Sequence, residues 1–177
     1  IRYRTKDMGV NFFDTGYEET VNIDEFGICD ENLVPCSYLG LDVLDKNKWI
    51  ATIKNDALIE LVHTPIDKCL ELKRENGEDD NKCDSMIYKK FELILFIELK
   101  ERRSPGWVSD AMKQLMVTIQ HFKNVHPNEY NLFIKREAHI ANSLHPKFNS
   151  FSSIDKEKFL VATGFRLFGV AEISVEI

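Results

Sequence analysis

The stretch CDSMIYKKFELILFIELKER, residues 83–102, carries the signal from which the fold is predicted. Its centre, Leu93 to Ile97, is one of the most apolar runs in the chain, and Glu98 and Lys100 follow it directly. Alternate residues of a strand share a face, so Glu98 and Lys100 point the same way, and the run before them is apolar on both faces. This pattern predicts a central strand that is covered above and below, with one face turning polar at its end.

A second carboxylate, Asp84, begins the segment that precedes this strand, and Lys89-Lys90 lies near the turn between them. A hairpin centred on Lys90 or Phe91 places Asp84 opposite Phe96 or Glu98, on the face that carries Glu98. A centre between two residues would put Asp84 on the other face, because a slip of one residue reverses the side-chain direction. A site built from both carboxylates therefore requires a specific hairpin register.

Two carboxylates and an ammonium at a strand end need a physical reason, because unpaired buried charge is costly. One explanation is an ion pair that holds Lys100 between Asp84 and Glu98 at a partly wet edge. The other is a divalent cation, since Mg²⁺ prefers carboxylates and water as ligands and polarises a phosphoryl oxygen, while a lysine orients or deprotonates the attacking water. The other Glu-x-Lys triplet, Glu71–Lys73, falls in a predicted helix, where residues two apart do not share a face.

Composition and charge fit a soluble globular chain of one domain with an elaboration. Of the 177 residues 44% are hydrophobic and 29% charged, and no apolar run reaches the length of a membrane span. The net charge of −6 argues against a protein that coats nucleic acid with its whole surface, although a local basic face stays open. The opening residues carry neither Met nor an apolar signal core, which favours a trimmed chain or a fragment. The expected location is the cytoplasm.

Four cysteines without a CxxC pair favour reduced thiols over a disulfide framework. Zinc sets built from Cys29 and Cys36, or from Cys69, Cys83 and His63, have irregular spacing, and plain buried cysteines are the preferred interpretation.

Residues 1–62 are predicted to form an N-terminal elaboration and residues 63–177 the core. Local signals predict strands at 48–53 and 57–62 around an Asn-Asp turn, a helix from Thr64 to Asn76 with Pro65 in its first turn, and a helix after residue 104 capped by Ser104 or Ser109. A strand at 131–135, a loop at 142–153 and a strand hairpin from 159 to 177 around Gly164 complete the prediction.

Asp84 followed by Phe91 to Lys100 resembles the signature of the PD-(D/E)XK nuclease superfamily, whose members share a restriction-endonuclease-like αβββαβ core. The likeness covers about residues 64–135 and implies an α/β fold with a mixed central sheet flanked by helices. It implies Asp84 and Glu98 as metal ligands and Lys100 as the catalytic lysine. The helix segment Ala111–Leu115 resembles the place where many members carry a Gln near the active site, which implies Gln114 as a secondary contact.

The resemblance implies a nuclease that uses Mg²⁺, or Mn²⁺, to cut nucleic acid, with DNA as the expected polymer and restriction, repair or defence as the expected setting. The Leu99 carbonyl would complete the metal site. Glu71 or Glu75 either fills the extra acidic role of the superfamily or lies on a solvated helix surface. Cations near the motif are candidates for phosphate contacts, namely Lys89, Lys90, Arg102, Arg103 and Lys113.

Three further expectations concern Trp107, the oligomeric state and catalytic activity. Trp107 either stacks on a base or packs in the core at a helix start, with packing favoured. Double-strand cutting by a domain with one site would call for a homodimer. The alternative to the nuclease is a catalytically silent member of the fold that acts as a binding module.

Overall fold

The computed structural model describes residues 10–146, 148 and 151–177 of the chain. Residues 1–9 of the predicted elaboration, and residues 147, 149 and 150 of the predicted loop, lie outside the described residues. The described strands, in chain order, are β1 (Glu19–Val21), β2 (Glu25–Cys29), β3 (Tyr38–Gly40), β4 (Ala51–Lys54), β5 (Leu61–Pro65), β6 (Ser85–Lys89), β7 (Leu93–Lys100), β8 (Lys135–Asn142), β9 (Arg166–Phe168) and β10 (Glu172–Ser174). The described helices are α1 (Trp107–Val125), α2 (Pro127–Leu132) and α3 (Ser153–Thr163), with a 3-10 helix at Val43–Lys48.

The strands form two sheets. The larger has the order β1-β5-β6-β7-β8-β9, antiparallel from β1 to β7 and parallel from β7 to β9. Helix α1 lies on the crossover from β7 to β8, and α3 on the crossover from β8 to β9. The smaller sheet has the order β10-β4-β2-β3. The predicted α/β class with a mixed central sheet is confirmed.

Strand β7 is the central strand that its apolar run predicts. Ile94 and Phe96 pack in one core with the buried face of α1, which includes Leu115. Leu95 and Ile97 pack in a second core, between the two sheets. Helices therefore cover one face of the larger sheet, and the smaller sheet covers the other.

The hairpin β6–β7 has the register that the carboxylate site requires. Ser85 pairs with Ile97, so the pairing is centred on Phe91, which takes a positive φ of 65° in the turn. One position further, Asp84 lies opposite Glu98, and the Asp84 N–H donates to the Ile97 carbonyl at 3.2 Å. The predicted convergence of the two carboxylates on one face is thus set by the backbone.

The helix predicted from Thr64 to Asn76 is wrong. Thr64 and Pro65 end β5, where Thr64 pairs with Met86 of β6. Beyond β5 the chain makes turns, and the Ile66 N–H donates to the Asp84 carbonyl at 2.8 Å. Pairing with β6 outweighs the local helix-start signal, because propensity is a weak prior against tertiary contacts.

Three other element predictions need correction. The strands predicted at 48–53 and 57–62 exist as β4 and β5, shifted towards the C-terminus, but they lie in different sheets. The strand predicted at 131–135 is the end of α2 and the start of β8. The hairpin predicted from 159 to 177 is the end of α3 followed by β9 and β10, which also lie in different sheets; Gly164 caps the helix in the left-handed conformation, with φ 77°.

Helix α1 is confirmed, whereas its predicted cap is wrong. Gly106 occupies the cap position with a φ of 92°, and no side chain caps the helix, so neither Ser104 nor Ser109 has that role. The 19 residues of α1 are too polar to span a bilayer, and no other helix among the described residues meets the length and hydropathy of a membrane span.

The prediction of reduced thiols is wrong for two of the four cysteines. Cys36 and Cys69 form a disulfide with Cα atoms 6.1 Å apart, while Cys29 and Cys83 are free and buried. The disulfide uses Cys36 of the first candidate zinc set and Cys69 of the second. Among the described residues, no three His, Cys, Asp or Glu side chains group as metal ligands. Cys29 and Cys83 are plain buried cysteines, as the preferred interpretation holds.

The division at residue 62 stays a prediction. Strand β5 runs across it, β1 joins the larger sheet, and the C-terminal β10 pairs with β4. The two parts of the chain therefore share both sheets.

Candidate metal and nucleic-acid site

Asp84 and Glu98 meet at the end of the β6–β7 hairpin that is remote from its turn, and both are buried, with 8% and 1% of their surface exposed. Burial raises the pKa of Asp84 to about 7, and the Leu99 N–H, which donates to Asp84 Oδ2 at 2.6 Å, offsets part of that rise. Burial also raises the pKa of Glu98 well above its usual value; neighbouring Asp84 adds to the rise and Lys100 opposes it. The site therefore holds carboxylates that take up protons when no cation faces them.

The two oxygens of Glu98 have different surroundings. Oε1 accepts a hydrogen bond from Lys100 Nζ, whereas Oε2 is fully buried and accepts no hydrogen bond from the described residues. A buried carboxylate oxygen without a partner is costly. This Glu98 oxygen and the neighbouring Asp84 carboxylate fit a hard cation that takes carboxylate ligands.

Lys100 is held by a chain of contacts that leads to α1. Its Nζ donates to Gln114 Oε1 at 2.9 Å, and Gln114 Nε2 donates to the Lys82 carbonyl at 3.1 Å. One turn further along α1, the Thr118 hydroxyl accepts from the Cys83 N–H at 2.8 Å. Helix α1 thus fixes both the ammonium and the segment that leads into Asp84, and Gln114 lies next to the site as the sequence predicts.

A basic pocket of about 390 Å³ opens beside Lys100. Lys100 and Gln114 line it together with Arg102, Lys113, Asp110 and Asn81. The loop that carries Arg102 is held by Asn142 of β8, whose side-chain amide donates to the Arg102 carbonyl at 2.8 Å. Two of the five predicted phosphate contacts, Arg102 and Lys113, therefore share a pocket with the lysine of the motif.

The structure does not bring the remaining predicted residues to this pocket. Lys89 and Lys90 lie at the turn of the hairpin, five residues or about 17 Å along the strand from Asp84. Arg103 is exposed and does not line the pocket. Glu71 and Glu75 are exposed on the non-helical segment after β5, so the helical acid expected there is wrong.

Two other acids, Asp30 and Asp67, stand near enough to Asp84 to contribute to its raised pKa. Asp30 follows β2 directly and Asp67 follows β5 by one residue. Sequence reasoning missed both, because Asp30 follows a strand of the smaller sheet and Asp67 lies in the segment predicted to be a helix. Ser37, from the β2–β3 connection, donates to the Asp84 carbonyl at 2.9 Å. The N-terminal part of the chain therefore contributes to the surroundings of the site.

Trp107 packs in the core, as the favoured interpretation holds. It is 8% exposed, its ring meets Phe148 edge to face at 4.7 Å between centroids, and it stacks on His145. It anchors the start of α1 beside the basic pocket.

Comparison of the chain with family models, with curated proteins and with solved structures finds no match in any of the three.

Proposed function

We propose that this chain is a metal-dependent nuclease that hydrolyses phosphodiester bonds in nucleic acid, with DNA as the expected substrate. The observation that carries the proposal is the buried pair Asp84 and Glu98, in which Glu98 Oε2 accepts no hydrogen bond from the described residues, next to a lysine that opens onto a basic pocket. Restriction, repair or defence is the setting that the resemblance to the PD-(D/E)XK superfamily implies.

Asp84, Glu98 and the Leu99 carbonyl would hold Mg²⁺, or Mn²⁺ in its place. When bound, the ion polarises the phosphoryl oxygen and favours hydroxide over water. Because two carboxylates supply fewer ligands than Mg²⁺ takes, water and substrate oxygens would fill the remaining positions.

The side chains around the ion account for the rest of the chemistry. Water attacks phosphorus and gives up a proton to the solvent, the bond from phosphorus to the leaving oxygen breaks, and that oxygen takes up a proton from the solvent. Negative charge grows on the phosphoryl oxygens in the transition state. Lys100, held by Glu98 and Gln114, orients the water and stabilises that charge. Arg102 and Lys113 contact flanking phosphates in the basic pocket, which orients the backbone without reading its sequence.

The order of elements supports the proposal. Strands β5, β6 and β7 run antiparallel, and α1 then returns the chain to the parallel strand β8. This βββαβ order is the one that the resemblance implies, while the first helix of the expected core has no counterpart before β5 among the described residues.

One observation favours the alternative, a catalytically silent member of the fold that acts as a binding module. Lys100 already contacts Glu98, so an ion pair accounts for one of the two Glu98 oxygens without a metal. A proton shared with Asp84, which the raised pKa of Glu98 favours, accounts for the other oxygen. An ion pair and a shared proton give no role to the basic pocket beside Lys100, and for that reason the nuclease is the better account.

The test is cleavage of supercoiled, linear and single-stranded DNA in Mg²⁺, Mn²⁺ or EDTA. The wild type is compared with Lys100→Ala and with the control Lys156→Ala, which changes an exposed lysine of α3. We expect metal-dependent cutting by the wild type and the control and its loss in Lys100→Ala. Activity that persists in EDTA, or that Lys100→Ala leaves unchanged, would contradict the proposal. Double-strand cutting that rises with the square of protein concentration would support the expected homodimer.

A further inference from the structure

A second basic pocket, of about 570 Å³, lies at the other end of the larger sheet. It forms where β8 and β9 begin, under the C-terminal end of α3, and its lining includes Lys135, Arg136 and Arg166. In the β7–β8 pairing, Lys135 lies opposite Leu93 and Asn142 opposite Lys100. Seven residues of strand, about 23 Å, therefore separate this pocket from the candidate active site.

The cations of this pocket differ in how firmly they are held. The guanidinium of Arg136 lies over the Tyr130 ring, 4.7 Å from its centroid, and Nη1 donates to the Tyr130 carbonyl at 3.3 Å. Since an arginine has five N–H donors, the others stay available to a ligand. Arg166 is exposed and makes no ion pair or side-chain hydrogen bond with the described residues. A fixed cation and a free one thus face the same space.

Apolar side chains form the other part of the lining. Ile134 is 84% exposed and Leu160 is 43% exposed, and both line the pocket. Val161, next to Leu160 on α3, is 81% exposed. Large apolar side chains gathered at a surface and rimmed by charge mark interaction sites.

This combination discriminates between ligand classes. A bare phosphate or a nucleic-acid backbone gains nothing from Ile134 and Leu160, and the Glu92 carboxylate on the lining opposes every anion alike, so the apolar contacts decide the ligand class. A polypeptide segment with carboxylates next to large apolar side chains matches both parts, because its carboxylates pair with Arg136 and Arg166 while its apolar groups cover the exposed walls.

We propose that this pocket, formed by Ile134, Lys135, Arg136, Leu160 and Arg166, docks an acidic, apolar peptide segment of a partner protein. The docking surface is independent of the nuclease chemistry, because it lies at the opposite end of the sheet.

Fluorescence anisotropy tests the proposal with three probes on the intact chain. The first is a short fluorescein-labelled peptide in which glutamates alternate with leucine and phenylalanine. The second peptide keeps the glutamates and replaces the apolar residues by serine, and the third probe is labelled oligothymidylate. The variants are Arg166→Glu and Ile134→Ser, with Lys113→Glu as a control of equal charge change at the other end of the sheet; all changed residues are exposed.

We expect saturable binding of the first peptide, weakened about tenfold or more by either pocket variant, as for loss of one interfacial contact, and unaffected by Lys113→Glu. The absence of saturable binding would overturn the proposal. So would equal affinity for the serine peptide, or binding of oligothymidylate that depends on Arg166, because either result would define a simple anion site. None of these readouts uses DNA cleavage, so failure of the nuclease proposal would leave this test unaffected.

Discussion

Replacement of Asp84 by asparagine should change how stability depends on pH. The folded-state pKa of Asp84 is about 7, raised by burial from the ordinary value of 3.8. A raised pKa means that the folded state binds the proton more tightly than the unfolded state. The resulting contribution to stability is fully present below the unfolded pKa and is lost as pH rises through 7. Asparagine stays neutral throughout and can still accept the Leu99 N–H.

The size of the effect follows from the shift. A pKa that is higher by about 3 units in the folded state corresponds to about 4 kcal/mol of unfolding free energy. Most of this contribution is lost between pH 4 and pH 9. Urea unfolding with EDTA present measures the free energy of unfolding. From pH 4 to pH 9 that free energy should fall by about 3–4 kcal/mol more for the wild type than for Asp84→Asn. The difference between wild type and Asp84→Asn isolates the carboxylate pair, because all other titrating groups contribute to both proteins. Glu98 belongs to this pair, since Asp84 raises its pKa.

Mg²⁺ completes this experiment. At pH 9 the ion should replace the proton and stabilise the wild type, by about 2.7 kcal/mol at a concentration one hundred times its dissociation constant. Asp84→Asn should gain much less. Parallel stability curves for wild type and variant from pH 4 to 9 would refute the reasoning, because they would mean that Asp84 is not desolvated.

The other predictions concern single changes. Lys100→Ala should lower kcat about a hundredfold or more and leave Mn²⁺ affinity within a few fold, since in the proposed mechanism the lysine acts on water and charge rather than on the metal; single-turnover cleavage and calorimetry measure the two. Gln114→Ala should lower kcat about tenfold and leave KM nearly unchanged, because Gln114 positions Lys100; a change in KM alone would show a role in binding. Reduction of the Cys36–Cys69 disulfide, which links residues 33 positions apart, should cost about 3–4 kcal/mol of unfolding free energy; equal thermal midpoints with and without dithiothreitol would contradict it. Gly164→Ala should destabilise by more than 1 kcal/mol, because an L side chain is strained at φ 77° and its Cβ would lie 2.0 Å from the Tyr130 hydroxyl.

The sequence predicts the centre of the fold well, because the signals there are long and unambiguous. The apolar run Leu93 to Ile97 is long enough to define a strand buried on both faces, and the period of α1 extends over 19 residues. The hairpin register then depends only on which residue occupies the turn. Asp84, Glu98 and Lys100 are brought together by this register alone.

Local signals mislead where tertiary contacts decide. Thr64-Pro65 has the chemistry of a helix start, yet pairing with β6 draws it into the sheet. Gly164 suits a hairpin turn and a helix cap equally. The start of α3 does carry a local signal, because the side chains and backbone N–H groups of Ser152 and Asp155 form a reciprocal capping box.

Contacts between distant segments leave no local pattern in one sequence. The pairing of Cys36 with Cys69, the second sheet and the approach of Asp30 and Asp67 to Asp84 all join segments that the chain order separates. The pocket at Arg136 and Arg166 is of the same kind, because its lining comes from α3 and from the starts of two strands.

Calorimetric titration of Mn²⁺ into the wild type and Glu98→Gln at pH 8 tests the central claim most directly. Glutamine keeps the shape of the side chain and removes the charge that would bind the ion. The account predicts one saturable site in the wild type, accompanied by proton release from Asp84 or Glu98, and its loss in Glu98→Gln. No binding to the wild type, or equal binding to both proteins, would contradict the claim that these carboxylates form a metal site.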